Sequence, residues 1–312
     1  VKPFAHALSM LLVPALACGG GGGADLDPDA APAVDADPSL DQHALVVISE
    51  TFRLADGFPD GFEEQRYATI SAEFGDAPRP SPRTVAETSG PCTLTTYEPV
   101  ACDPACGADA LCVPGGTCAP LPTFASVGPL SVEGLTTALD PIEPFGSFYS
   151  PEQVLPEDLF ADDATLTISA PGDELGSLEV SGHGVAPIEI ATEDAQIELI
   201  DGQPYTVTWT PSTDADARVR VTINSNNTGH GTPFHAIIAC EVDDAAGELT
   251  IPSSMIEALP AIQRWGGVGC PQADCPPSTV ARVRRATSPF EGGVVALEVQ
   301  TVHAFGVLHE VP

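Results

Sequence analysis

Cysteine placement constrains this chain more than any other feature. Its 312 residues include nine cysteines. Cys18 stands alone near the N-terminus. Cys92, Cys102, Cys106, Cys112 and Cys118 form one group, and Cys240, Cys270 and Cys275 form another. Both groups have odd membership. Complete pairing of these cysteines therefore forces at least one bridge between the groups, which packs residues near 100 against residues near 250. The spacing Cys102-x3-Cys106-x5-Cys112-x5-Cys118 suits a crossed-loop staple that pairs Cys102 with Cys112 and Cys106 with Cys118. Cys270 and Cys275 flank a four-residue loop and pair locally in this reading, leaving Cys92 for Cys240. Each bridge adds roughly 2–4 kcal/mol by constraining the unfolded chain. Zinc binding by these cysteines is disfavoured, because the spacings lack the CxxC knuckles of a zinc ribbon.

Between the cysteines, apolar residues recur with period two. Ala68, Ile70, Ala72 and Phe74 fall on one face, as do Leu166 and Ile168. Tyr205, Val207 and Trp209 form another such face, which makes Trp209 a core residue. Arg218–Ile223, His235–Val242 and Val294–Val302 read as further strands. Pro (32) and Gly (29) are abundant and aromatics make up only 6 %, which suits short strands joined by turns. The expectation is an all-β fold: an antiparallel, Ig-like β-sandwich over residues 42–312. Cysteine parity places the 66–100 strands in this same sandwich, with a small disulfide-rich insertion at about 101–120; two serial domains are the alternative. One short helix is expected, because Ser254-x-x-Glu257 has the capping-box pattern and opens Met255–Leu259 before Pro260.

The N-terminus reads as a secretory signal over residues 1–17. Lys2 supplies the basic start, and an apolar run from Ala7 to Ala17 is broken only by Ser9. That run is too short to span a bilayer. Residues 18–41 follow as Cys18, five glycines, and then a stretch dominated by Asp, Ala and Pro. The tetrad Ala15-Leu16-Ala17-Cys18 resembles the lipobox of bacterial lipoproteins, and the whole N-terminus is similar to lipoproteins of myxobacteria and related delta-class proteobacteria. The resemblance implies cleavage before Cys18, acylation of that cysteine and an oxidising, extracytoplasmic compartment. Two or more acyl chains anchor stably where one does so only marginally. Gly19, rather than Asp, follows the cysteine, which favours the outer membrane. Asp25, Asp27 and Asp29 fail as a calcium loop of the EF-hand type, because Ala30 and Ala36 stand where Gly and Glu are required. The segment is a solvated tether.

Charge removes whole classes of partner. The formal net charge is −33. Phosphate contacts need clustered Lys and Arg, so nucleic-acid binding is excluded, as is adhesion to anionic lipid through a polybasic patch. Arg282, Arg284 and Arg285 form the one basic cluster and are expected to pair internally with carboxylates.

From about 160 to 250, three runs occur in order: Trp209-Thr-Pro211, Val219–Ile223 and Cys240–Pro252. They are similar to a recurring sandwich module of secreted bacterial proteins, a resemblance that implies fold and not activity. No serine-nucleophile elbow, zincin helix, phosphate loop or dinucleotide fingerprint is present. Calcium is the first cofactor candidate, with Asp162–Asp163, Asp214, Asp216, Asp243 and Asp244 as ligands. A transition metal on His183, His230 and His235 is the second. Trp265, in a Gly-rich loop beside Cys270, is a candidate sugar-stacking platform or a loop-packing residue. The leading functional expectation is a noncatalytic interaction or structural module anchored to the cell envelope through acylated Cys18, with an envelope protein or polysaccharide as partner. A calcium-dependent carbohydrate- or ligand-binding module is one alternative, and a metal-dependent hydrolase using the three histidines is another.

Overall fold

The computed structural model describes residues 44–53, 64–146, 148–190, 196–225, 235–262 and 278–310. The fold is all-β with one short helix. β1 (Ala44–Arg53) and β2 (Gln65–Phe74) pair antiparallel. β3 (Thr84–Ser89) and β4 (Cys92–Thr96) form a hairpin whose turn carries Gly90 at φ 56°, where a side chain would be strained. β5 (Ala110–Val113) and β6 (Thr117–Pro120) pair only with each other. Three short strands follow: β7 (Ser131–Glu133), β8 (Pro144–Phe145) and β9 (Phe148–Tyr149). β10 (Thr165–Ala170) and β11 (Leu178–His183) form another hairpin. β12 (Gln196–Ile200), β13 (Tyr205–Thr208), β14 (Arg218–Asn224) and β15 (Ala236–Asp243) lead to β16 (Glu248–Ile251) and helix α1 (Ser253–Glu257). The chain closes with β17 (Ser278–Phe290) and β18 (Gly293–Glu310).

One large sheet organises the molecule, in the order β3-β4-β15-β14-β17-β18-β1-β2-β9-β8, with β12 added beside β18. β18 is its spine. At about 3.3 Å per residue its 18 residues run on the order of 60 Å. One edge pairs with β17; the other pairs with β1 over Val295–Ala304 and then with β12 over Gly306–Glu310. Both of the latter pairings are parallel, so the sheet is mixed rather than antiparallel throughout. Parallel neighbours need a long crossover, and no local pattern announces which distant strand will supply it.

Two cores lie on one face of this sheet. The first is covered by the three-stranded sheet β11-β10-β7 and holds Val46, Ile48, Ile70, Phe74, Leu166, Ile168, Val295, Leu297 and Val299. The second is covered by β13, β16 and α1 and holds Trp209, Val219, Val221, Ile223, Ile238, Leu249, Ile251, Met255, Phe305 and Val307. Trp209 is thus a core residue. β18 serves both cores, since alternate inward residues reach the first from its beginning and the second from its end.

Three disulfides are present among the described residues: Cys92–Cys240, Cys102–Cys112 and Cys106–Cys118. These are the pairs that spacing and parity single out. Cys92 and Cys240 sit directly opposite on β4 and β15, both fully buried, and tie residues that lie 148 apart in sequence. The other two cross-brace the β5–β6 hairpin, where no residue from 98 to 121 is buried. Cys270 and Cys275 lie outside the described residues.

The helix differs from expectation. It begins two residues early, with Pro252 rather than Ser254 as N-cap, and no side chain caps it. The Ser254 hydroxyl instead donates to Glu87 Oε1 on β3 at 2.6 Å, so a tertiary contact replaces the local capping box.

Candidate functional site

The charged residues of β14, β15, β17 and β18 are the chemically richest part of the described structure, and strand alternation sorts them. On β17, Val280 and Arg282 point toward the cores, while Ala281, Val283 and Arg285 point away. Arg282 enters the seam between the two cores and is 2 % exposed. Its guanidinium donates to Asp244 Oδ1 from Nε (3.1 Å) and Nη2 (3.0 Å), to the carbonyls of Ala186 and Pro187 from Nη1, and to the carbonyl of Thr210 from Nη2. These bonds use the full donor set of an arginine. Asp244 is fully buried, and its Oδ2 accepts from the Ser212 amide and hydroxyl, each at 2.6 Å. The Trp209 indole N–H donates to the Asp244 carbonyl at 2.9 Å, and the Thr301 hydroxyl donates to the Ala186 carbonyl. The pair therefore stitches β17 to three loops. A buried ion pair persists only when its remaining lone pairs and protons are satisfied in this way.

The opposite face carries a more open network. Arg285 donates to both oxygens of Glu241 (2.7 and 2.8 Å) and to Glu298 (2.9 Å). Arg220 reaches Glu298 and Gln300, and Arg218 reaches Glu241 and Asp243. Beneath the arginine stems lie Ala281, Val283 and Val302. Burial pushes the Glu241 carboxyl up, but the Arg285 hydrogen bond, the charges of Arg285 and Arg220, and the Arg218 hydrogen bond outweigh it. The net result holds Glu241 below the ordinary carboxylate range. The Glu241 hydrogen bond raises Arg285 further, against burial and with help from Glu298.

A third node forms around Arg284. Its guanidinium lies 3.0 Å from Asp214, 3.3 Å from Asp163 and 3.4 Å from Asp216. His183 Nδ1 lies 3.6 Å from Asp163 Oδ1. All three basic residues of the 282–285 cluster are thus paired internally, as the acid excess implies.

Of the aspartates that read as calcium ligands, Asp163, Asp214, Asp216, Asp243 and Asp244 have partners within the protein. Asp214 and Asp216 gather on Arg284, Asp243 is held by Arg218, and Asp244 is fully occupied by Arg282 and Ser212. Carboxylates that converge on a guanidinium do not offer the oxygen cage that calcium needs. His235 is exposed just before β15, and His183 is at the end of β11. His230, Trp265 and Cys18 lie outside the described residues. Among the described residues, one group of at least three metal-ligand atoms lies within 4.8 Å of one another, Cys102, Cys106 and Cys118, and each of these is bonded in a disulfide.

Sequence reading misses three inward-facing polar groups, of which His303 and His309 are buried and Glu50 is half-buried. Glu50, inward on β1, accepts the amides of Leu159 (2.6 Å) and Phe160 (3.0 Å). Burial outweighs those bonds and raises its carboxyl. His303, inward on β18, packs edge-on against Phe52 and has no hydrogen-bond partner at Nε2; burial lowers its affinity for a proton. His309 places Nδ1 3.1 Å from the Pro260 carbonyl and Nε2 3.9 Å from Asp201. The one signal was alternation itself, which puts Glu50, His303 and His309 in register with inward apolar neighbours.

No protein-family model matches the chain, and no curated protein matches it in sequence.

Proposed function

We propose that this chain is a lipid-anchored protein of the bacterial cell envelope, and that its β-rich body is a noncatalytic interaction or structural module. The observation that carries the reading is an order of segments: an apolar run, the tetrad Ala15-Leu16-Ala17-Cys18, a tether of Gly, Asp and Pro, and a first described strand at Ala44. The body supports the second half of the reading. Arg282, Arg284 and Arg285, with the aspartates that looked like ligands, are spent on joining strands and loops. The three disulfides among the described residues suit an oxidising compartment. Gly19 after the cysteine supports the outer membrane.

The test uses a property of the composition. Lys2 is the sole lysine. Cleavage before Cys18 followed by N-acylation leaves a mature chain with no primary amine. The full chain is expressed in a bacterium and its membrane fraction is taken for intact mass and amine labelling. The expected product is residues 18–312 plus a diacylglyceryl group and a further acyl chain, with no amine label. A mature chain without acyl groups, or a Cys18→Ser variant that fractionates with membranes as the wild type does, overturns the proposal.

A further inference from the structure

The edge of the large sheet carries an aromatic patch on the face away from the cores. Phe145 and Phe148 are cross-strand partners on β8 and β9, edge to face with ring centroids 5.5 Å apart. Phe148 stands opposite Glu73 on β2, and Glu73 stands opposite Leu45 on β1. The alternating residues Ala72, Phe74 and Tyr149 are buried in the core, so this row faces outward. Phe124 bridges to Gly75, two residues beyond Glu73 and just past the end of β2. Arg79 joins the parts, 2.8 Å from Glu73 and 5.2 Å from the Phe124 ring. Phe145 is 66 % exposed, an unusual state for a phenylalanine that ends a sheet.

The position of the patch indicates what it meets. Three strand spacings of about 4.8 Å separate Phe145 from Leu45, so the patch lies roughly 14 Å from the point where the tether joins β1. A flexible chain as long as the stretch between Cys18 and Ala44 has a reach on the order of 25–30 Å. A body held that close to acyl chains sees the bilayer at a high effective concentration, and a small apolar contact then suffices to hold it there. We propose that Phe145, Phe148 and Phe124 dock onto the surface of the same bilayer that holds acylated Cys18. This rests on the lipid-anchor reading above. The net charge of −33 repels anionic lipid, so the docking surface is zwitterionic.

The experiment uses the full-length acylated protein carrying Phe145→Trp, reconstituted into phosphatidylcholine vesicles with and without brominated acyl chains. The bromine quenches indole emission only at contact depth. The difference spectrum against wild type isolates the indole introduced at position 145. Quenching of that emission by at least twofold is expected, falling to below half that effect when Phe148→Ser is added or when phosphatidylglycerol replaces most of the phosphatidylcholine. Absence of quenching in protein whose mass shows the acyl chains overturns the docking and leaves the anchor standing. A blue shift of the introduced indole in a dimer that forms without lipid also overturns it, because a second copy then covers the patch. A mass without acyl chains overturns both readings.

Discussion

Arg282 and Arg285 stand on one strand and do opposite jobs. Arg282 points inward, is 2 % exposed, and is met by a fully buried carboxylate and three backbone carbonyls. Arg285 points outward and shares the half-buried Glu241 with Arg218 and the buried Glu298 with Arg220. The same side chain is a fixed rivet between two cores in one place and part of a solvated lattice in the other. The difference lies in what each loses when a partner is removed. An unpaired charge in the seam has no water to turn to, whereas Arg285 or Glu241, both partly exposed, is rehydrated when its partner is lost.

The largest effect is therefore expected at the seam. Asp244→Ala leaves the Arg282 guanidinium and Ser212 unpaired in the interior and lowers unfolding free energy by about 3–5 kcal/mol in urea titrations. Next comes the buried bridge: replacing Cys92 and Cys240 together by alanine costs about 2–5 kcal/mol, since it frees a loop of 148 residues and leaves a cavity. Opening Cys106–Cys118 provides the contrast. It loosens the β5–β6 hairpin to proteolysis while leaving the urea midpoint of the body unchanged, because that hairpin shares no buried residue with either core. On the outer face, Glu241→Gln costs only about 1–2 kcal/mol.

Titration separates the two faces as well. Glu241 is held below its ordinary value, so its contribution is complete above the unfolded carboxylate range and is lost as pH falls through the folded value. His303 is depressed by burial, so the unfolded chain takes up its proton first. Stability from this group accordingly declines as pH drops below about 6.5, the ordinary histidine value. His303→Gln removes that slope and leaves the slope due to Glu241 in place, which thermal melts from pH 8 to pH 3 resolve.

Much of the fold is legible because it is local. Alternation marks Ala68–Phe74, Thr165–Ala170 and Arg218–Ile223, and strands β2, β10 and β14 cover them. Cysteine parity reaches further, because a count of odd groups is a statement about distant contacts. The parallel pairing of β1 with β18 is different: nothing in Ala44–Arg53 names Val295–Ala304, at the far end of the chain, as its partner. The seam is the clearest miss. Asp243 and Asp244 read as a pair of calcium ligands, yet the two neighbours diverge, one toward Arg218 on the surface and one into the interior. The hint lay in β17, where alternation puts Arg282 on the same face as Val280 and so demands a buried anion somewhere else in the chain.

The most direct test is a pair of double-mutant cycles under urea unfolding, Arg282→Met with Asp244→Asn and Arg285→Met with Glu241→Gln. If the seam is the rivet, its coupling energy is about 3 kcal/mol against about 1 kcal/mol for the outer pair. Equal couplings, or a stronger outer pair, would contradict the division between a buried rivet and a solvated lattice.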